Sequence, residues 1–300
     1  MQKFFFAIDV GGTFIKSAII DSKGQIYKSS HKTKPFNALG SEEYIMKKFS
    51  SEIKNALRVR KDIVAVGIAI PGTIDQKRGG IVIPHPENKT KFSALYKTSI
   101  RDELRKVFNI PVFLENDANA FTLGEAIFGV AKKHRKVIGI TLGTGIGSGF
   151  VIDKKIATSK HGATVDGDIW HLKYKKSIIG DYFESKEIEN RYILLSPGGV
   201  KIKKLTVKKI SEKAFAGDKI ARQTFVILGE SLADALFPIV KKFKPESLVF
   251  GGQISNSSKL FLPKFKKDLA KKYPLKIAIK KSKLGASAAL VGSLSEIILE

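Results

Sequence analysis

Residues 9–21, DVGGTFIKSAIID, and residues 141–153, TLGTGIGSGFVID, align without a gap, 132 positions apart. Each reads as an apolar strand, a Gly/Thr turn and a second apolar strand that closes on Asp. In the first copy FFFAI (4–8) leads into Gly11, Gly12 and Thr13, then FIKSAII; in the second, VIGI (137–140) leads into Gly143, Thr144 and Gly145, then FVI. Glycines in such a turn permit positive φ and leave room for another molecule to approach the backbone. Single β-hairpins with Gly turns are common. Two copies of equal length favour an internal duplication in which each hairpin opens one lobe.

Outward from the hairpins, strand and helix patterns alternate, which indicates α/β layers. QIYKSS (25–30) reads as a third strand. A helix follows from near Ser41, with Glu42 and Glu43 at its positive end and Tyr44, Ile45, Phe49, Ile53 and Leu57 near one face. IVAVGIAI (63–70) reads as a buried strand ended by Pro71-Gly72, residues 98–108 as a helix, and PVFLE (111–115) as a strand. Asp117 to Phe128 reads as a helix closed by Gly129. In the second half, Asp218–Phe243 is expected to be helical, kinked or broken near Pro238; SLVFGG and KIAIKK read as strands, and Gly285–Leu299 as a final helix. The expected lobes are residues 1–116, completed by the C-terminal helix 285–300, and residues 117–284.

Composition narrows the function classes. The 300 residues contain no cysteine, which excludes disulfides, thiolate zinc sites and cysteine nucleophiles. Lys plus Arg outnumber Asp plus Glu by 53 to 28, a net charge of +25. The lysines are scattered as pairs over the whole length rather than gathered in a tail, so a solvated surface is favoured over a nucleic-acid footprint. FFFAI is cut off by Asp9 and is too short for a signal-peptide core, and no apolar run suggests a membrane span. The reading is a soluble, cytoplasmic protein with no nucleic-acid or membrane partner.

The two hairpins and a third Gly pair, Gly251-Gly252, offer bare N–H groups where a phosphate can sit. Neither hairpin fits the Walker or the dinucleotide pattern. Asp9, directly before the first turn, suits a hydrated Mg2+ beside phosphates, or caps the turn. Asp117 in LENDANAF suits a general base that accepts a hydroxyl proton, or an N-cap at the strand end.

Taken in order, these motifs resemble the ROK group (repressors, open reading frames, kinases) of the actin/hexokinase-like ATPase superfamily. DVGGT resembles the first phosphate loop, LGTGIGSGFVID the second and VFGGQIS the adenosine turn. ENDAN resembles the sugar-and-base motif and KLGASAALVGSL the C-terminal connecting helix, so the likeness runs from residue 4 to about residue 294. The resemblance implies a two-lobed actin-like ATPase fold, a duplicated ribonuclease H-like α/β architecture with an interlobe cleft. It implies a kinase that uses ATP and Mg2+ to phosphorylate the 6-hydroxyl of a hexose or N-acetylhexosamine, N-acetylmannosamine first, then N-acetylglucosamine and glucose. Asp117 would be the base and Asp9 would organise magnesium through water. Gly11, Gly12, Thr13, Gly143, Thr144 and Gly145 would cradle phosphates, with Gly252 under the adenosine. Asn88 (or plain loop polarity there), Asn116, Asp168, His171 and Glu184 would hold the sugar.

The chain departs from the group at one motif. Where the family carries GEIGH followed by a three-cysteine zinc knuckle, this chain reads GDIWH and then only HLKYKKSIIGDYF before Glu184. No structural zinc is expected, and the loop should be held by packing of Trp170, Tyr174, Ile178, Ile179, Tyr182 and Phe183. Regulators of the group carry an N-terminal helix-turn-helix, for which a hairpin starting at Phe4 leaves no room, so the kinase reading is preferred. The resemblance also implies a homodimer.

Overall fold

In the computed structural model, which describes residues 2–82, 90–164, 167–198, 205–274 and 276–299, both expected hairpins form. Strands Phe4–Val10 (β1) and Phe14–Asp21 (β2) are rich in β-branched and aromatic residues and pair antiparallel, with Asp9 opposite Lys16. The third strand is Lys32–Pro35 (β3) rather than QIYKSS. Ser30 explains the shift: its hydroxyl accepts the Ile19 N–H at 2.8 Å and donates to the Tyr27 carbonyl at 2.6 Å. A side chain thereby takes the place of ladder partners, and the chain turns through Lys28–Ser30 before pairing resumes.

Helix Glu42–Val59 (α1) starts on Ser41, whose hydroxyl accepts the Tyr44 N–H at 3.2 Å, and buries Ile45, Phe49, Ile53 and Ala56. Ile63–Ile70 (β4) pairs parallel to β1. A short ribbon of Ile74–Asp75 (β5) and Gly80–Ile81 (β6) follows, then helix Ile100–Phe108 (α2). Val112–Asn116 (β7) pairs parallel to β4 and runs directly into helix Asp117–Ile127 (α3). The strand order is β3-β2-β1-β4-β7.

The second half repeats this plan. Lys136–Leu142 (β8), Ile146–Ile152 (β9) and Lys155–Ile156 (β10) form the hairpin and its edge. A ribbon of Lys173–Tyr174 (β11) and Ser177–Ile178 (β12) precedes helices Ile179–Phe183 (α4), Ser185–Leu195 (α5) and Val207–Phe215 (α6). Helix Lys219–Phe243 (α7), strand Ser247–Gly251 (β13), helix Ser258–Lys272 (α8) and strand Ala278–Lys281 (β14) complete it. The order β10-β9-β8-β13-β14, with β13 parallel to both β8 and β14, matches the first sheet strand for strand.

Helix α7 runs unbroken through Pro238. By length and composition it passes for a membrane span, unlike anything expected from the sequence, yet most of its apolar stretch is buried. Phe225, Leu228, Leu232, Leu236, Val240 and Phe243 form the centre of the second core, and that packing outweighs the proline.

The chain's last segment is not one helix. It divides into Ala288–Gly292 (α9) and Ser295–Ile298 (α10), because Gly292 and Ser293 are weak helix formers and the Ser293 hydroxyl donates back to the Leu290 carbonyl at 2.8 Å. A Cβ on Gly124 would lie 2.1 Å from the Ala288 carbonyl oxygen, and one on Gly292 would lie 1.7 Å from that of Ala120. Glycine lets α3 and α9 meet backbone to backbone. The chain accordingly divides into one unit of Met1–Phe128 with Ala286–Glu300 and another of Gly129–Gly285. A boundary at residue 116 falls ahead of α3, which the α9 contact ties to the first unit.

Candidate functional site

In the first unit the polar side chains gather where the parallel strands end. Register sets Asp9 of β1 beside Ala69 of β4, and Ala69 beside Glu115 of β7. Asp9 and the Asn116-Asp117 step therefore lie on one sheet edge, two strand spacings or roughly 10 Å apart. Carboxyl ends of parallel strands are where α/β sheets bind ligands. The intervening turn is closed by the Gly11 N–H to the Phe14 carbonyl at 2.9 Å and fastened by Phe36 and Ala38 N–H groups to the Thr13 and Gly12 carbonyls.

Each acidic group on this edge has a defined partner. Lys16 holds Asp9 Oδ2 at 2.8 Å, with the Asp9 side chain 13% exposed. Asn116 caps α3, Oδ1 accepting the Ala118 and Asn119 N–H groups at 2.9 and 3.0 Å, while its Nδ2 donates to the Gly72 carbonyl at 3.0 Å. The cap expected of Asp117 thus belongs to its neighbour. Asp117 is the first helical residue, and its Oδ1 accepts the Ala118 N–H at 2.9 Å. Asn88 lies outside the described residues.

Two residues here escaped sequence reasoning. The Lys91 side chain lies over the first turn: a Cβ on Gly12 would come 2.9 Å from Lys91 Cε and 3.2 Å from Nζ. Nothing in a linear reading joins positions 12 and 91. Glu115 accepts the Asn116 N–H at 2.7 Å and the Asn119 Nδ2 at 3.1 Å. Burial pushes its carboxyl up to about 7, opposed by those two donors and reinforced by the charge of Glu296.

In the second unit the turn Gly143-Thr144-Gly145 closes on itself, Gly143 N–H to the Gly145 carbonyl at 2.9 Å. A Cβ on Gly143 or Gly145 would meet nothing within 4 Å, so the fold itself does not require glycine at either position. Gly252 differs. It has φ +78° and a Cβ there would lie 2.3 Å from the Leu142 carbonyl oxygen, so it is needed for β13 to pass against β8.

Serines anchor the segments that carry Asp168 and Glu184, the second of them on this same turn. The Ser148 hydroxyl of β9 bonds the Gly167 carbonyl, fixing the approach to Asp168. Ser185 donates both its N–H (3.1 Å) and its hydroxyl (2.6 Å) to the Gly143 carbonyl, which holds Glu184 beside the turn. Burial raises the Asp168 carboxyl, against the Trp170 N–H and the charge of His171. Ser148 and Ser185 were also unmarked in the sequence, because a serine's anchoring role depends on a carbonyl far along the chain.

The loop between His171 and Glu184 is held by rings. Tyr174 meets Tyr182 edge-on at 5.0 Å and Phe183 at 5.8 Å, the Lys175 ammonium lies over both tyrosines, and the Tyr174 hydroxyl donates to the Ser231 carbonyl at 3.2 Å. Tyr174, Ile179 and Phe183 are buried. Trp170, expected among them, is instead 49% exposed. Among the described residues no three His, Asp or Glu side chains gather as a metal-binding group.

The sequence profile of the ROK family matches residues 5–297. The chain belongs to the ROK family. This ROK chain is 28% identical over 281 residues to a glucokinase of Streptomyces coelicolor, spanning 87% of the chain and 85% of that relative. It is 27% identical over 274 residues to a xylose repressor of Caldicellulosiruptor bescii, spanning 82% of the chain but 65% of the repressor. A ROK glucokinase from Streptomyces griseus, solved with glucose and AMPPNP, shares its fold with a TM-score of 0.76 at 24% identity, 97% of each chain being covered. The architecture is the actin-like ATPase fold of ROK sugar kinases.

Proposed function

We propose that this ROK protein transfers the γ-phosphoryl group of ATP to the 6-hydroxyl of a hexose or N-acetylhexosamine, with N-acetylmannosamine the first substrate to test and N-acetylglucosamine and glucose next. The observation that carries the reading is the shared sheet edge of the first unit, where a glycine phosphate turn and Asp117 stand two strands apart. Support also comes from the glucokinase relative and from the glycines of the second turn, which the fold does not demand.

In this reading the Asp117 carboxylate orients the sugar hydroxyl and takes its proton as the new O–P bond forms and the bond to the β–γ bridging oxygen breaks, the electron pair leaving with ADP. Backbone N–H groups of each glycine turn are available to phosphate oxygens, with Lys16 and Lys91 the cations at the first turn. Asp168, His171 and Glu184 bind sugar hydroxyls, and Asn116 aligns the start of α3. Asp9, ion-paired to Lys16 at a strand end, is the carboxylate that would hold a hydrated magnesium ion, which needs few protein ligands. Bound with the nucleotide, magnesium supplies neutralisation of phosphate charge.

A coupled ADP-release assay over hexoses and N-acetylhexosamines, with phosphorus NMR of the product, tests the activity. Asp117→Asn should lower kcat by about 10²–10⁴-fold while sugar binding survives; near-normal kcat in that variant defeats the assignment. The xylose repressor relative favours a second reading, a sugar-responsive regulator. Sugar binding without any phosphoryl transfer, together with salt-dependent binding to a specific duplex, would select it.

A further inference from the structure

Trp170 is the only tryptophan in the chain, and it stands half in water directly after the fully buried Ile169. A single exposed aromatic is ordinary on a protein surface. This one is held in place. Its carbonyl accepts the Gly180 N–H at 2.8 Å and its own N–H donates to Asp168 Oδ1 at 3.2 Å, so its backbone is pinned on both sides. A Cβ on Gly180 would lie 3.7 Å from both Cβ and Cε3 of Trp170, so one edge of the indole rests on bare backbone. The His171 ring stands edge-on to it, centroids 5.8 Å apart at 82°.

A fixed aromatic surface flanked by a carboxylate and an imidazole suits a ligand with one C–H face and a rim of hydroxyls. A pyranose has that form. We infer that Trp170 is a stacking platform for the pyranose ring of the substrate and sets affinity for it, with Asp168 and His171 reading the hydroxyls around the rim. The inference rests on the sugar-facing role proposed for those two residues. It gives a reason for a large aromatic in GDIWH that packing does not supply.

Because the chain has one tryptophan, its emission reports on this position directly. Wild-type protein without ATP would be titrated with N-acetylmannosamine, N-acetylglucosamine and glucose, and a saturable change in emission is expected for the sugar that is phosphorylated. In the coupled assay Trp170→Leu should raise KM for that sugar roughly tenfold with kcat little changed, while Trp170→Phe stays within about threefold of wild type. Thermal melts should leave both variants near wild type, since the ring is half exposed.

The two readings fail differently. Turnover of a sugar with unaltered emission at saturation, and an unchanged KM in Trp170→Leu, overturns the platform and leaves the kinase. A saturable emission change with no phosphoryl transfer upholds the platform and removes the kinase. Neither emission change nor turnover with any of the three sugars overturns both.

Discussion

The two hairpins share strand order and orientation, with pairing offset by one residue, and their ends carry different chemistry. The edge of the first sheet presents Asp9, Glu115 and Asp117, with Lys16 and Lys91 as the cations beside them. At the positions aligned in sequence the second hairpin has Thr141 for Asp9 and Ser148 for Lys16, although Thr141 there pairs with Gly147, and β14 ends on Lys280 and Lys281. One strand plan thus carries an ion pair at the first hairpin and neutral side chains at the aligned positions of the second. Strand pairing depends on backbone groups and on the apolar faces, so residues at the turns were free to change without loss of fold. In the second hairpin Ser148 fixes a loop, where Lys16 in the first fixes a carboxylate.

The sharpest way to break this comparison is to exchange matched positions. Asp9→Asn should lower kcat/KM by about 10³-fold, whereas Thr141→Ala should cost less than about tenfold; equal losses would mean that both copies carry charge chemistry. Next come the glycines. Gly252→Ala forces a Cβ onto the Leu142 carbonyl at positive φ and should remove about 2–3 kcal/mol of stability in chemical denaturation. Gly143→Ala should melt within about a degree of wild type and still raise KM for ATP about tenfold, because its Cβ meets no protein atom.

Glu115 gives a pH test confined to the first unit. Its folded carboxyl lies at about 7 against an ordinary 4.5, so between those values the native state holds a proton that the unfolded chain releases. Stability from this group is therefore greatest at the acid end of that window and falls as pH rises through about 7. Glu115→Gln can still accept from Asn116 and Asn119, and should unfold later than wild type at pH 8 by about 2 kcal/mol while matching it near pH 4.5. Parallel curves across that range would remove the proton from the account. The smallest effect is reserved for Lys91→Met, expected to raise KM for ATP about threefold with no change in melting, since the ammonium only lies over the turn.

Most of the framework was legible in the chain. Glycine turns between β-branched runs marked both hairpins, and Ser41 with two glutamates marked the start of α1. Misreadings arose where a side chain replaced a backbone partner or where solvent decided. Ser30 displaced the third strand, and Gly292-Ser293 divided the last helix. Trp170 looks like core in a string of letters because apolarity is written there and exposure is not. Lys91, Ser148 and Ser185 gain meaning only from partners 19 to 79 positions away, which no local pattern encodes.

The ring-clasped loop after His171 also sets where this protein can operate. Tyrosines and phenylalanine close it, and the chain has no thiol to oxidise or to surrender to a competing metal. Its shape should therefore survive swings in redox poise and chelator treatments that would dismantle a cysteine knuckle. The same clasp passes a hydroxyl to Ser231 on α7, so heat that loosens the long central helix should release this loop with it.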